Sequence, residues 1–180
     1  MGSIIILSVL LVIVTIGIHY EALRGLSRAM EWWSGRPRQR VLLLVFGVFA
    51  AHLVEVTVYA AGYWLGEKGL GLGIFAGTRD HTLLDYIYFA AETFTTLGLG
   101  DIYPIGNLRL LAGVESLDGL LLIGWSASMT YIAMSKSWSL IGLGTSPSLN
   151  ANETDRPSRM SSRSVRPRRR SLRLGSNDPL

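Results

Sequence analysis

The sequence of 180 residues contains no cysteine, and its first 150 residues carry almost no net charge. The absence of cysteine excludes a disulfide framework, a thiolate metal site and a cysteine nucleophile. Residues 151–180 carry eight arginines and three acidic residues, whereas residues 1–150 carry nine basic and ten acidic residues. A nucleic-acid-binding domain carries its basic residues on a folded face, so we expect no nucleic-acid partner.

Apolar residues fall in three dense runs, each of which predicts a membrane span. The first run, Ile4–Ile18, extends with its neighbours to a span over residues 1–20, and the others predict spans over residues 41–65 and 108–134. A hydrocarbon core of about 30 Å requires roughly 17–25 apolar residues. A cleaved signal peptide is the alternative for the first run, but no basic residue precedes it and no clear cleavage site follows it. We therefore predict an all-α membrane protein.

The basic residues between and after the runs predict the orientation of the chain. Residues 21–40 contain five arginines, and residues 135–180 contain Lys136 and eight arginines. Basic loops stay on the cytoplasmic side, so we expect a multi-pass protein of the cell (plasma) membrane with its N-terminus outside and its C-terminus in the cytoplasm. The Arg- and Ser-rich tail over residues 135–180 is expected to be disordered. We expect it either to bind anionic lipid of the inner leaflet or to remain solvated.

A short helix is predicted over residues 82–95, between the second and third runs. Thr82 can cap its N-terminus, and Asp85 lies three positions later, as in a capping box. At about 1.5 Å per residue, a helix of this length enters the membrane only part-way. The glycine-rich segment that follows must then return as extended backbone, which is tolerated at that depth only where protein buries it or it lines a water-filled path.

The segment after this helix resembles a known signature. Thr95-Thr96-Leu97-Gly98-Leu99-Gly100-Asp101 is similar to the Thr-Thr-Val-Gly-Tyr-Gly-Asp sequence of potassium-channel selectivity filters. The resemblance covers about residues 41–134 and implies a small bacterial pore domain with an extra N-terminal span. Its parts would be an outer helix (41–65), a pore helix (82–95), a filter (96–101) and an inner helix (108–134). One chain supplies one filter loop and a filter needs four, so the resemblance implies a homotetramer.

The resemblance also implies the ion ligands. Potassium exchanges its hydration shell for rings of backbone carbonyl oxygens, and alternate glycines allow successive carbonyls to face one axis. The implied filter residues, with backbone carbonyls and the Thr96 hydroxyl as ligands, are Thr96, Leu97, Gly98, Leu99 and Gly100. The residues implied to support them are Thr95, Glu92 and Asp101. K⁺ is then the permeant ion, and no cofactor is expected.

Two residues depart from the signature, because Leu97 replaces Val and Leu99 replaces Tyr. The predicted function is a potassium-selective channel subunit, and the alternatives are a weakly selective cation channel and a non-conducting scaffold or regulatory subunit. No nucleophile–base set is visible, so we expect no enzymatic activity. Gly69–Gly73 repeats the Gly-Leu-Gly letters without the flanking Thr and Asp, and we interpret it as a flexible extracellular turn.

Glu92 lies nine residues before Asp101. The resemblance associates this spacing with a buried Glu beside the filter Asp, so that one proton is shared between two carboxyl groups. The alternative is a Glu that faces the extracellular vestibule. Gly119, in the third span, is equally consistent with a gating hinge and with a helix-packing contact.

Charged residues inside a span usually face a cavity or a partner. Asp118 and Glu115, three residues apart, are candidates for cavity charge, and we predict that Asp118 faces the cavity. The alternative is a buried contact with His52, itself three residues from Glu55, and the orientations of Glu115, His52 and Glu55 stay open. The three histidines of the chain are too scattered in the sequence to predict a metal site.

Overall fold

Three long helices dominate the fold, which a computed structural model describes for residues 1–32, 35–77 and 81–140. Each of them is long and apolar enough to cross a membrane, which confirms the prediction of an all-α membrane protein. In chain order the elements are α1 (Gly2–Trp32), α2 (Pro37–Trp64), a π-helical turn (Leu65–Gly69), β1 (Gly73–Ala76), α3 (Leu83–Phe94), β2 (Tyr103–Gly106) and α4 (Leu108–Leu140).

The first helix is longer than the sequence predicted, because α1 continues through most of the expected loop over residues 21–40 and ends at Trp32. Arginine, alanine, leucine and methionine are good helix formers, so the arginines that suggested a loop do not oppose a helix. Glu21 accepts a hydrogen bond of 2.9 Å from Arg24, one helical turn later. The extension also packs against α2, in an apolar cluster whose buried members are Leu23, Leu44 and Val48.

The other two spans also differ from their predicted limits. α2 begins at Pro37 instead of residue 41, and proline suits this first helical position because its missing N–H would have had no intrahelical partner. α4 reaches Leu140 instead of residue 134, since residues 135–140 contain no proline or glycine to end it. The rest of the predicted basic tail and its expected lipid contacts, from residue 141 onward, lie outside the described residues.

The three spans pack against one another around an interior that contains apolar and polar side chains. α1 contacts α2 and α4, and α3 packs between α2 and α4. Tyr59 and Phe94 are fully buried, and so are three polar residues, His19, Glu55 and Glu115. Because lipid cannot hydrogen-bond such groups, each of them requires a partner inside the chain.

A two-stranded antiparallel sheet, which the sequence did not predict, joins the two ends of the segment between α2 and α4. Its register pairs Gly73 with Gly106 and Ala76 with Tyr103. Glycine is required at Gly73, because a Cβ there would lie 2.2 Å from the carbonyl oxygen of Ile105. Strands of four residues carry too short a pattern to be recognised.

Phe75 of β1 anchors this sheet to α3 through a cluster of aromatic side chains. Its ring lies 4.9 Å from the ring of Phe89 and 5.5 Å from those of Tyr63 and Tyr86, in edge-to-face arrangements. Such arrangements bring the positive edge of one ring to the negative face of the next. Glu67 in the π-helical turn accepts hydrogen bonds from the Phe75 backbone N–H (3.2 Å) and from the Tyr86 hydroxyl. The turn, β1 and α3 therefore form one packed unit.

The turn Gly69–Gly73, interpreted from the sequence as flexible, is held by backbone hydrogen bonds. The N–H of Leu72 donates to the carbonyl of Gly66 (2.8 Å), and the carbonyl of Leu72 accepts from the N–H of Asn107 (3.0 Å). These bonds hold the turn against both the end of α2 and the start of α4, in contrast to the expectation.

Phe75→Ala is expected to lower the free energy of unfolding by about 3 kcal/mol, because removal of a buried aromatic ring leaves a cavity. Ile74→Ala is the matched control, since Ile74 precedes Phe75 in the same strand, faces the opposite side and is 58% exposed. Its cost is expected to be about 0.5 kcal/mol or less. Unfolding of the purified protein in detergent measures both values. Equal destabilisation by the two variants would contradict the anchoring role of Phe75.

Candidate functional site

The candidate site is the segment of residues 95–101, which follows the C-terminus of α3. α3 begins after Thr82, whose backbone N–H and hydroxyl donate hydrogen bonds of 2.7 and 2.8 Å to the Asp85 carboxylate. These bonds hold the pKa of Asp85 below its usual value. α3 buries one face against α2 and α4. At its end, the Thr95 hydroxyl donates to the carbonyl of Ala91 (2.7 Å), and the chain leaves the helix.

The backbone after α3 alternates between positive and negative φ. Thr96, Gly98 and Gly100 have φ of 58°, 59° and 80°, and Leu97 and Leu99 between them have negative φ. Glycine adopts positive φ readily, but Thr96 is the only non-glycine residue with positive φ in the described part of the chain. Such strain persists where the surrounding structure holds it, and it clusters at functional sites. Alternation of this kind turns successive N–H groups toward one side of the chain.

Glu92 supplies the acceptors on that side. Its backbone carbonyl accepts hydrogen bonds from the N–H of Leu97 (2.8 Å) and of Gly98 (3.4 Å). Its carboxylate oxygen Oε2 accepts a hydrogen bond from the N–H of Leu99 (3.1 Å). In a trans peptide each N–H points opposite to the carbonyl of the preceding residue. The carbonyls of Thr96, Leu97 and Gly98 therefore point away from Glu92.

The carbonyl side of the segment is open in the single chain. All of residues 95–101 are exposed, and the exposed fractions of Leu97 and Leu99 are 63% and 59%. A row of backbone carbonyls can replace part of the hydration shell of a cation. One row coordinates a cation from one side only, so the segment can supply one wall of a cation site.

Asp101 ends the segment and is connected to two other parts of the chain. The Tyr88 hydroxyl of α3 donates to both carboxylate oxygens of Asp101, at 3.2 and 3.1 Å. Gly77, with φ of 116°, approaches so closely that a Cβ there would lie 1.9 Å from the carbonyl oxygen of Asp101. The next residue, Ile102, is buried and leads into β2. The outer end of the segment is thus held by α3 and by the connection after β1.

Glu92 and Asp101 interact without a direct hydrogen bond between them in the described structure, because the Glu92 carboxylate binds Leu99 and the Asp101 carboxylate binds Tyr88. Glu92 is only 4% exposed, so the alternative in which it faces the extracellular vestibule is wrong. Burial raises the pKa of Glu92 above its ordinary value, the hydrogen bond from Leu99 lowers it, and the charge of Asp101 raises it. The interaction between the two carboxyl groups is therefore electrostatic.

The prediction that Asp118 faces a cavity is wrong. Asp118 is 5% exposed and accepts hydrogen bonds from the hydroxyls of Thr15 (2.7 Å) and Tyr59 (2.9 Å). Glu115 is fully buried and accepts a hydrogen bond from the Tyr63 hydroxyl. The physical reason is that α1 and α2 both pack against this face of α4. The hydroxyl donors come from Thr15 of α1 and from Tyr59 and Tyr63 of α2.

His52 and Glu55 face the contact between α1 and α4, and no hydrogen bond joins His52 to Asp118 in the described part of the chain. The two Glu55 oxygens lie 2.8 Å from Nδ1 of His19 and 2.9 Å from Nδ1 of His52. The Ser126 hydroxyl of α4 lies 3.2 Å from Nε2 of each histidine. These four side chains form one closed cluster between the three spans.

Five members of this buried polar network were not predicted from the sequence: Thr15, His19, Tyr59, Tyr63 and Ser126. A signal for some of them was present. The polar residues of α2 at positions 52, 55, 59 and 63 recur at spacings of three or four, which places them on one face of a helix. A polar face on a span indicates contact with protein, because lipid offers it no hydrogen bonds.

Gly119, for which the sequence left a hinge and a packing contact open, packs against the C-terminus of α3. A Cβ at this position would lie 2.2 Å from the carbonyl oxygen of Phe94. One turn earlier on α4, the Ser116 hydroxyl donates a hydrogen bond of 3.2 Å to the carbonyl of Thr93. α4 therefore supports the end of α3 directly beneath the candidate segment, and this contact accounts for the glycine.

A family model described as an ion channel matches residues 41–136. The match spans 96 of the 180 residues and includes most of α2, all of α3, the segment 95–101 and most of α4. α1 lies outside it. No curated protein and no solved structure matches the chain.

Gly119→Ala is expected to destabilise the protein by about 1–3 kcal/mol, because the added methyl group overlaps the backbone of α3. Gly113→Ala, in the same helix, has no atom within 4 Å of the added methyl. It is therefore expected to be neutral or stabilising by up to about 1 kcal/mol. Thermal unfolding of the purified protein compares them. An unchanged stability of Gly119→Ala would exclude the packing contact and favour the hinge.

Glu92→Ala is expected to speed hydrogen exchange at the amide of Leu99 by about tenfold or more, because a hydrogen bond to a charged acceptor contributes about 1.5–3 kcal/mol. Glu92→Gln retains an oxygen acceptor at the same position but without the charge, so its exchange rate is expected to lie between those of the parent and of Glu92→Ala. Mass spectrometry of peptides that cover residues 97–99 measures the rates. Slow exchange in Glu92→Ala would show that the side chain does not hold the segment.

A comparison of the parent with Glu92→Gln also tests the charge of Glu92. The raised pKa means that the folded protein binds this proton more readily than the unfolded protein. The stability of the parent is therefore expected to fall as pH rises from the ordinary value of 4.5 through the raised pKa. Glu92→Gln has no such proton and should lack this part of the pH dependence. Superimposable pH profiles of parent and Glu92→Gln would refute the assignment.

Proposed function

The chain belongs to the ion-channel family, and on that basis we propose that it is a subunit of a homotetrameric, potassium-selective channel. The observation that carries the proposal is the direction of the backbone after α3. Three consecutive N–H groups bind Glu92, and the carbonyls of the preceding residues face the open side. Four such rows around one axis would form rings of oxygen ligands for a dehydrated K⁺ ion. K⁺ moves passively, with no catalytic step and no cofactor.

The proposed ligands are the backbone carbonyls of four consecutive residues and one hydroxyl at the inner end. They belong to Thr96, Leu97, Gly98 and Leu99, with the hydroxyl from Thr96. Gly100 continues the alternation of φ and allows the chain to turn outward. α3 ends at Phe94 beside the inner end of this row. The C-terminus of a helix carries a partial negative charge, which favours a cation at that end.

Self-association supplies the other three walls of the proposed filter. Leu97 and Leu99 are exposed apolar side chains within the segment, and three leucines of α4 are more than half exposed. Their exposed fractions are 73% for Leu117, 61% for Leu120 and 59% for Leu121. These surfaces are available to neighbouring subunits and to lipid, both of which we propose as partners.

The proposed orientation in the plasma membrane follows the basic residues. Arg24 and Arg28 lie in the last third of α1, and Arg36, Arg38 and Arg40 lie at the start of α2. We place this junction and the C-terminal tail in the cytoplasm, and the N-terminus and the β1–β2 sheet outside. Contact of the arginine-rich tail with anionic lipid is part of the same proposal.

A weakly selective cation channel is the second candidate, and Leu99 is the observation that favours it. Leu99 occupies the position of Tyr in the signature that the segment resembles, and it offers no ring or hydroxyl to hold the filter from behind. In this chain the aromatic hydroxyl at the outer end belongs to Tyr88 of α3, which donates to Asp101. This hydrogen bond holds Asp101, whereas the Leu99 side chain has no group that can form one. The proposed filter is therefore held by fewer side-chain hydrogen bonds at Leu99 than a tyrosine there could form.

Reconstitution of the purified full chain in liposomes tests the proposal. Vesicles loaded with K⁺ or with Na⁺ are compared under equal gradients, and the flux of each ion is measured. K⁺ flux well above Na⁺ flux supports the selective channel, and comparable fluxes support the second candidate. No flux of either ion from a folded tetramer would favour a scaffold or regulatory subunit and overturn the proposal.

Gly98→Ala is expected to reduce K⁺ flux to the level of empty liposomes, because an alanine at a φ of 59° costs roughly 1–2 kcal/mol and the segment would relax. Gly71→Ala is the matched control. Gly71 has a φ of 58°, also has no atom within 4 Å of an added Cβ, and lies in the turn before β1. It carries the same backbone strain outside the filter, so its flux should match the parent. A K⁺ flux through Gly98→Ala equal to that of the parent would refute the assignment of residues 96–101 as the filter.

A further inference from the structure

Three side chains with metal-binding atoms converge where α1 meets α2, and they take no part in the proposed conduction path. They are His19 of α1 and His52 and Glu55 of α2, and their ligand atoms all lie within 4.8 Å of one another. The side chains of His19 and Glu55 are fully buried, and that of His52 is 18% exposed. His52 and Glu55 share one face of α2, so the packing of α1 onto that face assembles the cluster.

The hydrogen bonds of this cluster are incomplete when its histidines are neutral. With Nδ1–H of His19 and His52 donating to Glu55, both Nε2 atoms are left as acceptors. Both lie 3.2 Å from the Ser126 hydroxyl, whose single proton can serve only one of them. The cluster therefore lacks one hydrogen-bond donor. A further proton would supply it, and a metal ion bound to the Nδ1 atoms would remove the need for it, because both Nε2 atoms would then carry protons.

The residues around the cluster include further carboxyl groups and no basic partner for them. Glu115 and Asp118 are buried in the same interior, and each keeps one carboxyl oxygen without a hydrogen-bond partner. Within the described residues no lysine or arginine forms an ion pair with them or with Glu55. A carboxylate inside the membrane is costly unless a cation balances it. The interior between the spans is therefore favourable for a bound cation.

We propose that the cluster binds a divalent metal ion of the zinc class through Nδ1 of His19, Nδ1 of His52 and the carboxylate of Glu55. Two imidazoles and one carboxylate are typical ligands of Zn²⁺ and its neighbours, whereas Mg²⁺ and Ca²⁺ prefer oxygen ligands. With the ion on Nδ1, each Nε2 carries a proton. Ser126 Oγ has two lone pairs and can accept from both, as the outer partner that metal-bound histidines usually have.

A bound metal ion requires small shifts of the three side chains. Bonds of about 2.1 Å separate tetrahedral ligands by about 3.4 Å. The Nδ1 atoms of His19 and His52 lie 2.8 and 2.9 Å from the two different Glu55 oxygens, and these distances would widen by about 0.5 Å. The ligand atoms all lie within 4.8 Å of one another, so the longer separations would shorten to about 3.4 Å. Three protein ligands leave one position of a tetrahedral ion for water.

The ion fastens α1 to the rest of the protein. α1 lies outside the matched residues 41–136, and His19 brings it directly to the ligands on α2. The ring of His52 lies 5.7 Å from the ring of Phe94, the last residue of α3. The site thus links α1 to α2, and one of its ligands, His52, lies next to the end of α3, which leads into the proposed filter.

Zinc binding to the purified full chain in detergent tests this inference. After equilibration with Zn²⁺ and removal of free ion, elemental analysis is expected to give one zinc per chain, and zinc should raise the melting temperature. His19→Gln is expected to abolish both effects. Ser126→Ala should weaken binding by about 10–100-fold, as losses of outer partners do. His81→Gln is the matched control, because His81 lies outside the cluster, and it should bind like the parent.

Failure of the parent to retain zinc would overturn the inference and indicate that a proton completes the cluster instead. Equal binding by His19→Gln and the parent would overturn it as well. If His19→Gln does not fold, the absorption spectrum of the parent with Co²⁺ decides, because tetrahedral coordination absorbs strongly and a fully hydrated ion absorbs weakly. These measurements involve no ion flux, so they are independent of whether the proposed channel conducts.

Discussion

Backbone that leaves a helix loses its intrahelical partners and must find other acceptors for its N–H groups. Glu92 supplies them for the segment after α3. Its carbonyl and its carboxylate take the N–H groups of Leu97, Gly98 and Leu99. The carbonyls are left on the opposite side, which is the side that a cation can use. The position of Glu92 depends on the packing of α3. Gly119 of α4 packs against Phe94 at the end of α3, and Phe89 of α3 packs against Phe75 in the aromatic cluster.

The elements predicted well from the sequence are those that depend on local signals. Long apolar runs predicted the three spans, and the ion-channel family indicated by the resemblance is confirmed by the family match. Thr82 and Asp85 predicted the start of α3, because a capping box is formed by residues close together in the sequence. The limits of α1 could not be predicted in the same way. Its last turns are stabilised by an apolar cluster with α2, and charge alone suggested a loop.

For the polar residues of the spans, prediction from the sequence has a different limit. Sequence spacing indicates which residues share a face of a helix, but it does not indicate what that face meets. Asp118 was expected to face a cavity because charges in spans commonly do, whereas Thr15 and Tyr59 bind it inside the chain. His19 and His52 are far apart in the sequence and meet only because α1 packs onto α2. The partners follow from the tertiary arrangement and not from either helix alone.

The pairing of Gly73 with Gly106 has a geometric consequence for the whole segment between α2 and α4. The chain leaves α2, enters β1, passes through α3 and residues 95–101, and returns in β2 beside the strand from which it departed. The sheet therefore holds the end of α2 beside the start of α4, in addition to the contacts that α3 makes with both helices. Side chains of this segment that touch neither helix, such as the exposed Leu97 and Leu99, can therefore differ in chemistry while the ends of α2 and α4 stay together.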